Sequence, residues 1–293
     1  KAIKTFGADI IRSENLIGKL VLSFLLECLD SAIDRIGQGT STAKFEIYTE
    51  NLETPIKREN MFFSSMDITA TSGGELLDAI YALSENEFTQ VNITKIKAYV
   101  EIEEKRQTAR IIQAETLKDP VSPGEIVQIK VKIHPYRGDF ETKYIDIEIP
   151  EYASPGTLYL TVRGGGVMPL DNEEENIKNK DDHKTPAESL EKLIRDIVTA
   201  EKNNDIVVQF YAGFEENIEE SVSIEKGIMK IDSFPTVLDS HLKVETPQRT
   251  GDRPDRVEDE ETARKNETDI VKVILPTDYV IEGETDLELT VEK

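Results

Sequence analysis

Residues Ile133–Gly166 read "IHPYRGDFETKYIDIEIPEYASPGTLYLTVRGGG". Ile145, Ile147 and Ile149 alternate with charged residues, and after Pro155-Gly156 the alternation resumes in Leu158, Leu160 and Val162. A period of two with one apolar side is the mark of a strand that buries one face. Just upstream, Val127, Ile129, Val131 and Ile133 alternate with Gln128, Lys130 and Lys132. Pro135 cannot donate to a ladder, and Gly138 is read as taking the positive φ of a tight turn. Arg137-Gly138-Asp139 is a tripeptide that some adhesive proteins use to bind receptors. Its place between two alternating runs reads as a turn and not as a recognition site.

The same period extends upstream. Ile96, Ala98, Val100 and Ile102 alternate, a return strand carries Ala109 and Ile111, and "DPVSPGE" is a loop. Strands every ~10–15 residues with Pro/Gly turns predict an antiparallel β-sandwich of immunoglobulin-like type over residues 91–170. The chain has no Trp and one Cys, so the Cys…Trp…Cys core of antibody domains is absent.

Residues 1–90 read as an α+β module of helix, strand and helix. The first helix is expected from Ala8 to Ile36, with a buried stripe of Leu16, Leu20, Phe24, Cys28, Leu29, Ile33 and Ile36. A strand follows at Ala43–Thr49. A second helix is expected from a capping box formed by Ser72 and Glu75, with Leu76, Leu77, Ile80 and Leu83 inward. Residues 171–184 are an acidic linker. Residues 185–245 read as a helix plus strands. Thr185 is the N-cap, Pro186 the first helical position and Glu188 completes the box. A strand in "DIVVQFYAGF" and a hairpin turning at Gly227 follow. Residues 246–269 read as a mobile charged loop, and 270–293 as one or two terminal strands that complete the sandwich. The fold class is α+β.

With 58 acids against 35 bases, the net charge is -23. Such a field repels phosphate backbones and anionic lipid, which argues against nucleic-acid binding and membrane-surface binding. No apolar run is long enough to span a bilayer. Cys28 lies in an apolar helical pattern and reads as a core thiol. The three histidines, His134, His183 and His241, are scattered. Asp171, Glu173, Glu174 and Glu175 lack the ligand alternation and turn glycine of a calcium loop. Ser64, Ser65 and Ser72 lack a nucleophile-elbow context. The "TSGGE" glycines lack the lysine of a phosphate loop. The sequons at Asn92 and Asn266 matter only in a glycosylating host. No catalytic, cofactor-binding or metal-ligating residue is assigned, and no cofactor is expected.

Three stretches, "LDSAIDRIGQGTSTAKFEIYTEN", "RENMFFSSMDITATSGGELLDAIYALSENEFTQVNI" and "VSPGEIVQIKVKIHPYRGDFETKYIDIEIPEYASPGTLYLTVRGGG", occur in that order. Together they resemble the region downstream of the peptidase domain in long bacterial SpoIVB-type serine peptidase family proteins. The likeness covers residues 10–166, with a weaker echo in "LPTDYVIEGETDLELTV". That family's Gly-x-Ser-Gly nucleophile motif is absent here, so no catalytic residue carries over. The chain begins with Lys1 and reads as a fragment or processed chain. The resemblance implies a non-catalytic accessory or interaction region of a larger bacterial extracytoplasmic protein, with a protein partner. The alternatives are a structural or adhesive cell-surface protein and a hydrolase with a site assembled from dispersed residues.

Overall fold

The computed structural model describes residues 3–11, 13, 16–33, 37–166, 185–212 and 270–292. The chain divides into one unit of residues 1–212 and 270–293 and another of 213–269, and the latter lies outside the described residues. The expected linker at 171–184, the Gly227 hairpin and the charged loop at 246–269 also lie outside them. The architecture is α+β: helices and mostly antiparallel sheets share one chain.

The first sheet contains β1 (Gly39–Thr49), β2 (Ile56–Ser64) and β3 (Ile93–Glu103), in the antiparallel order β2-β1-β3. Helices α1 (Ile17–Ile33), α2 (Ile68–Ser72) and α3 (Gly74–Ser84) accompany it. Val21 of α1, Phe45 and Ile47 of β1, and Ile80 and Leu83 of α3 share a core. Each such Leu or Ile, when fully buried, contributes about 1.5–3 kcal/mol from water exclusion.

This module departs from expectation in four ways. Helix α1 begins at Ile17, where the Ser13 carbonyl accepts from the N–H groups of Leu16 and Ile17. Its buried side holds Gly18, Val21, Cys28 and Leu29, while Leu16 and Leu20 are exposed. The reason is the Gly18 notch, where a Cβ would sit 3.1 Å from Leu77 and 3.3 Å from Tyr81. Strand β2 was not expected at all. Strand β3, expected in the sandwich beyond position 90, pairs with β1 along its length. Ser72 does not cap α3. It closes α2, donating to the Ile68 carbonyl (2.6 Å) and meeting the Ser41 hydroxyl (2.6 Å). The side-chain cap here is Asp67 on α2, which accepts from the N–H groups of Thr69 and Ala70.

Two further sheets face one core. The first runs β10 (Val280–Glu282), β4 (Thr108–Thr116), β5 (Ile126–Pro135), β6 (Glu141–Glu148). The second runs β11 (Glu284–Val291), β7 (Gly156–Gly164), β8 (Asp205–Tyr211), β9 (Ile270–Pro276). Ile129, Val131 and Ile147 of one and Leu160, Ile206 and Leu289 of the other line a single cluster. The alternation in the opening stretch thus lies on real strands, with Ile145 and Ile147 inward and Tyr144 and Asp146 outward. Three terminal strands, not one or two, join these sheets. β11 pairs antiparallel with β7, β9 antiparallel with β8, and β10 parallel with β4.

The strand order is not immunoglobulin-like. In that fold the third strand of the chain already belongs to the opposite sheet. Here β4, β5 and β6 are consecutive neighbours in one sheet, and β7, β8 and β9 in the other. Connections between sequence neighbours put consecutive strands side by side, and only β10 and β11 pair with strands far back in the chain.

Helix α4 (Pro186–Thr199) starts as read. Thr185 Oγ1 accepts from the Glu188 N–H, and the Glu188 carboxylate accepts from the Thr185 N–H at 2.8 Å. Ile194 and Ile197 pack on the first core. No described helix is long and apolar enough to cross a membrane.

Candidate functional site

The connection between β5 and β6 presents a cationic and aromatic surface. Tyr136, Arg137, Gly138, Asp139 and Phe140 are all exposed. The turn is closed by the Gly138 N–H donating to the Pro135 carbonyl (3.1 Å) and by the Tyr136 N–H donating to the Thr108 carbonyl (2.9 Å). The positive φ falls on Arg137 (58°) and not on Gly138, contrary to the sequence reading. A Cβ on Gly138 would lie 3.1 Å from the Pro135 ring, so the glycine relieves crowding instead.

Around this turn, rings and cations interleave. The Arg106 guanidinium lies between Phe63 of β2 (4.8 Å) and Tyr136 (4.6 Å). It is held there by a hydrogen bond to Thr108 Oγ1 (2.8 Å) and by both Glu282 carboxylate oxygens (3.1 Å each). Arg137 sits 5.1 Å from the Tyr136 ring. Lys132 lies over Phe140 at 4.4 Å, and His134 stacks on the same ring at 4.4 Å. Arg110 is the cross-strand partner of His134. Cations at such distances from ring faces are attracted by the ring quadrupole.

A second polar cluster joins α4, β2 and β7. Arg58, whose side chain is 2% exposed, binds Glu75 (2.8 Å) and donates to the carbonyls of Val198, Ala200 and Glu201. Asn60 Oδ1 accepts from the Asn203 N–H (2.8 Å). Arg163 forks onto Glu201 at 2.6 and 2.8 Å, and Lys272 reaches the same carboxylate at 3.1 Å. Every one of these side chains is engaged with protein, so the cluster reads as a brace.

Burial alone would push the Glu201 carboxyl up. Hydrogen bonds and charge from Arg163 and Lys272 outweigh it and hold the group below the usual Glu range. A carboxylate depressed in the folded state stabilises it above the unfolded pKa, ~4.3 for Glu. That contribution is lost as pH falls through the lower folded value. Urea midpoints measured from about pH 6 down to about pH 3 should therefore drop less steeply for Glu201→Gln than for the native chain. Parallel curves would remove this role.

The other residues weighed from sequence stand apart. Cys28 is buried, and its thiol is pushed up by burial and by the neighbouring Glu27. Ser64 Oγ accepts from the N–H groups of Met66 and Asp67, closing a turn. Ser65 is exposed. Asn92 donates to Glu50 at 3.1 Å. Among the described residues no three His, Cys, Asp or Glu side chains gather as a cation site. His183, His241, Asp171, Glu173, Glu174, Glu175 and Asn266 lie outside the described residues. The hairpin cluster was missed in the sequence because its members come from four strands and a turn, although "KVKIHPYR" carries part of the signal. No protein-family model, no curated protein and no solved structure matches this chain.

Proposed function

We propose that the chain is a non-catalytic accessory region that engages a protein partner, part of a larger bacterial extracytoplasmic protein related to the SpoIVB-type serine peptidases. The observation that carries the interaction role is the β5–β6 surface: exposed rings and cations fixed on a sheet whose other face is core. Aromatic and Arg side chains on rigid elements are what protein interfaces use as anchors, because little freedom is lost on docking. The attachment to a peptidase rests on the resemblance of residues 10–166 alone.

The native open reading frame tests the attachment. A Gly-x-Ser-Gly peptidase domain upstream of Lys1 is expected. A frame that starts near Lys1 with nothing before it removes the peptidase link. Deleting Thr246–Asp269 should leave the melting temperature within about 2 °C, as expected of a segment with few apolar groups to bury. A loss of several degrees would show that an ordered element had been read as a loop.

A further inference from the structure

We infer that the β4–β5–β6 outer face, at its hairpin end, docks an acidic peptide segment of a partner protein. The inference rests on the interaction role above and names its chemistry. Three cations on this face, Arg110, Lys132 and Arg137, have no ion-pair partner among the described residues. They stand in a chain with 23 more acids than bases, where carboxylates to pair them are abundant. The twelve residues Ile126–Arg137 contain three bases and no acid. The register keeps the cations together. Lys132 and His134 point to the same side of β5, and Arg110 lies directly across from His134.

The rings matter as much as the charges. Phe140 is 56% exposed while Lys132 and His134 hold its orientation. Tyr136 is fixed against Arg106, which Glu282 and Thr108 already anchor. The face is thus pre-arranged, with apolar ring surface flanked by cations that lack carboxylates. Carboxylates of an incoming Asp/Glu-rich segment would complete those pairs, and its apolar side chains would cover the rings. The negative field of the rest of the molecule opposes an anion, so contact confined to the local cations is required, and salt should weaken it.

The test is a fluorescence-anisotropy titration of the whole chain with a labelled peptide of alternating Asp, Glu and Leu or Phe residues, at low and at physiological salt. The double variant K132E/R137E changes one half-buried and one exposed side chain, both outside the core, and far-UV circular dichroism should show it folded as the native chain is. A loss of about tenfold or more in affinity is expected for it. The control K192E/R195E, on the exposed face of α4, should bind as the native chain does. Absence of binding by the native chain overturns the proposal, as does equal binding by K132E/R137E or an equal loss in the control. Binding of inorganic polyphosphate but not of the peptide overturns it too. None of these results touches the peptidase link, which the reading frame decides separately.

Discussion

Arg58→Met is expected to destabilise the protein by about 3–5 kcal/mol, the usual penalty for breaking a buried, fully hydrogen-bonded ion pair by removing one partner. Arg58 completes helix α4. The last carbonyls of a helix have no partners inside it, and the helix C-terminus carries partial negative charge. The last turn of α4 has no basic residue of its own. Arg58 reaches across from β2 and donates to Val198, Ala200 and Glu201 while its Nε donates to Glu75 at 2.9 Å. Methionine of similar length fills the space but leaves these carbonyls without the guanidinium donors and Glu75 with Asn60 alone among the described residues (3.1 Å). Arg58→Lys keeps the charge without the fork and should fall between the two. By contrast, Lys57→Ala removes a side chain that is 57% exposed and 3.7 Å from Glu46, and should cost under about 1 kcal/mol. Urea midpoints at unchanged slope give the comparison. A loss below about 1 kcal/mol for Arg58→Met would show that water replaces the arginine and that the brace is ornamental.

The same residue explains what the sequence hid. Strand β2 reads "IKRENMFFS", and its inward positions include Ile56, Arg58 and Asn60. A strand that turns polar groups inward shows no apolar alternation, so periodicity alone passes over it. The inward polar groups meet α4 and residues 201–203, far along the chain, and no local pattern announces that partnership. Where the inward side is apolar, in β5, β6, β7 and β11, strands were legible almost residue by residue. The start of α4 was legible for the opposite reason: a capping box is satisfied within four residues. Ser72–Glu75 has the same spacing, but Ser72 is drawn to Ser41 on β1, and tertiary contact overrode the local motif. Strand pairing was not legible either. The alternation of β3 is that of an edge strand in any sheet, and only the register with β1 assigns it. The hairpin cluster was half visible, since the bases of "KVKIHPYR" and the nearby Phe140 stand in one run, but Arg110 joins them only through the β4–β5 ladder and Arg106 only through its contacts with Phe63 and Tyr136.

Gly165→Ala is expected to cost about 3 kcal/mol, although alanine for glycine commonly stabilises by about 0.4–1 kcal/mol where the backbone tolerates it. Gly165 does not take a positive φ, so the cost is steric. A Cβ there would sit 2.2 Å from the Lys202 carbonyl oxygen and 3.0 Å from Asp205 Cβ. The oxygen cannot retreat cheaply. It accepts from the Asp205 N–H (3.0 Å), the Lys202 N–H donates to Asp205 Oδ2 (2.7 Å), and the Asp205 carbonyl accepts from Gly165 itself (2.8 Å). Moving it would also drag Glu201, and with it the contacts of Arg58 and Arg163. Overpacking of this kind costs about 1–3 kcal/mol and more where the obstacle is backbone. Gly74→Ala supplies the opposite sign. It lies in α3 with nothing within 4 Å of the new methyl group, and should raise stability by a few tenths of a kcal/mol. Both variants remove a glycine and so restrict the unfolded chain alike. Their difference therefore reports the fit of the folded state. Equal effects would mean that the close approach of β7 to the turn at Lys202 is not a feature of the folded protein.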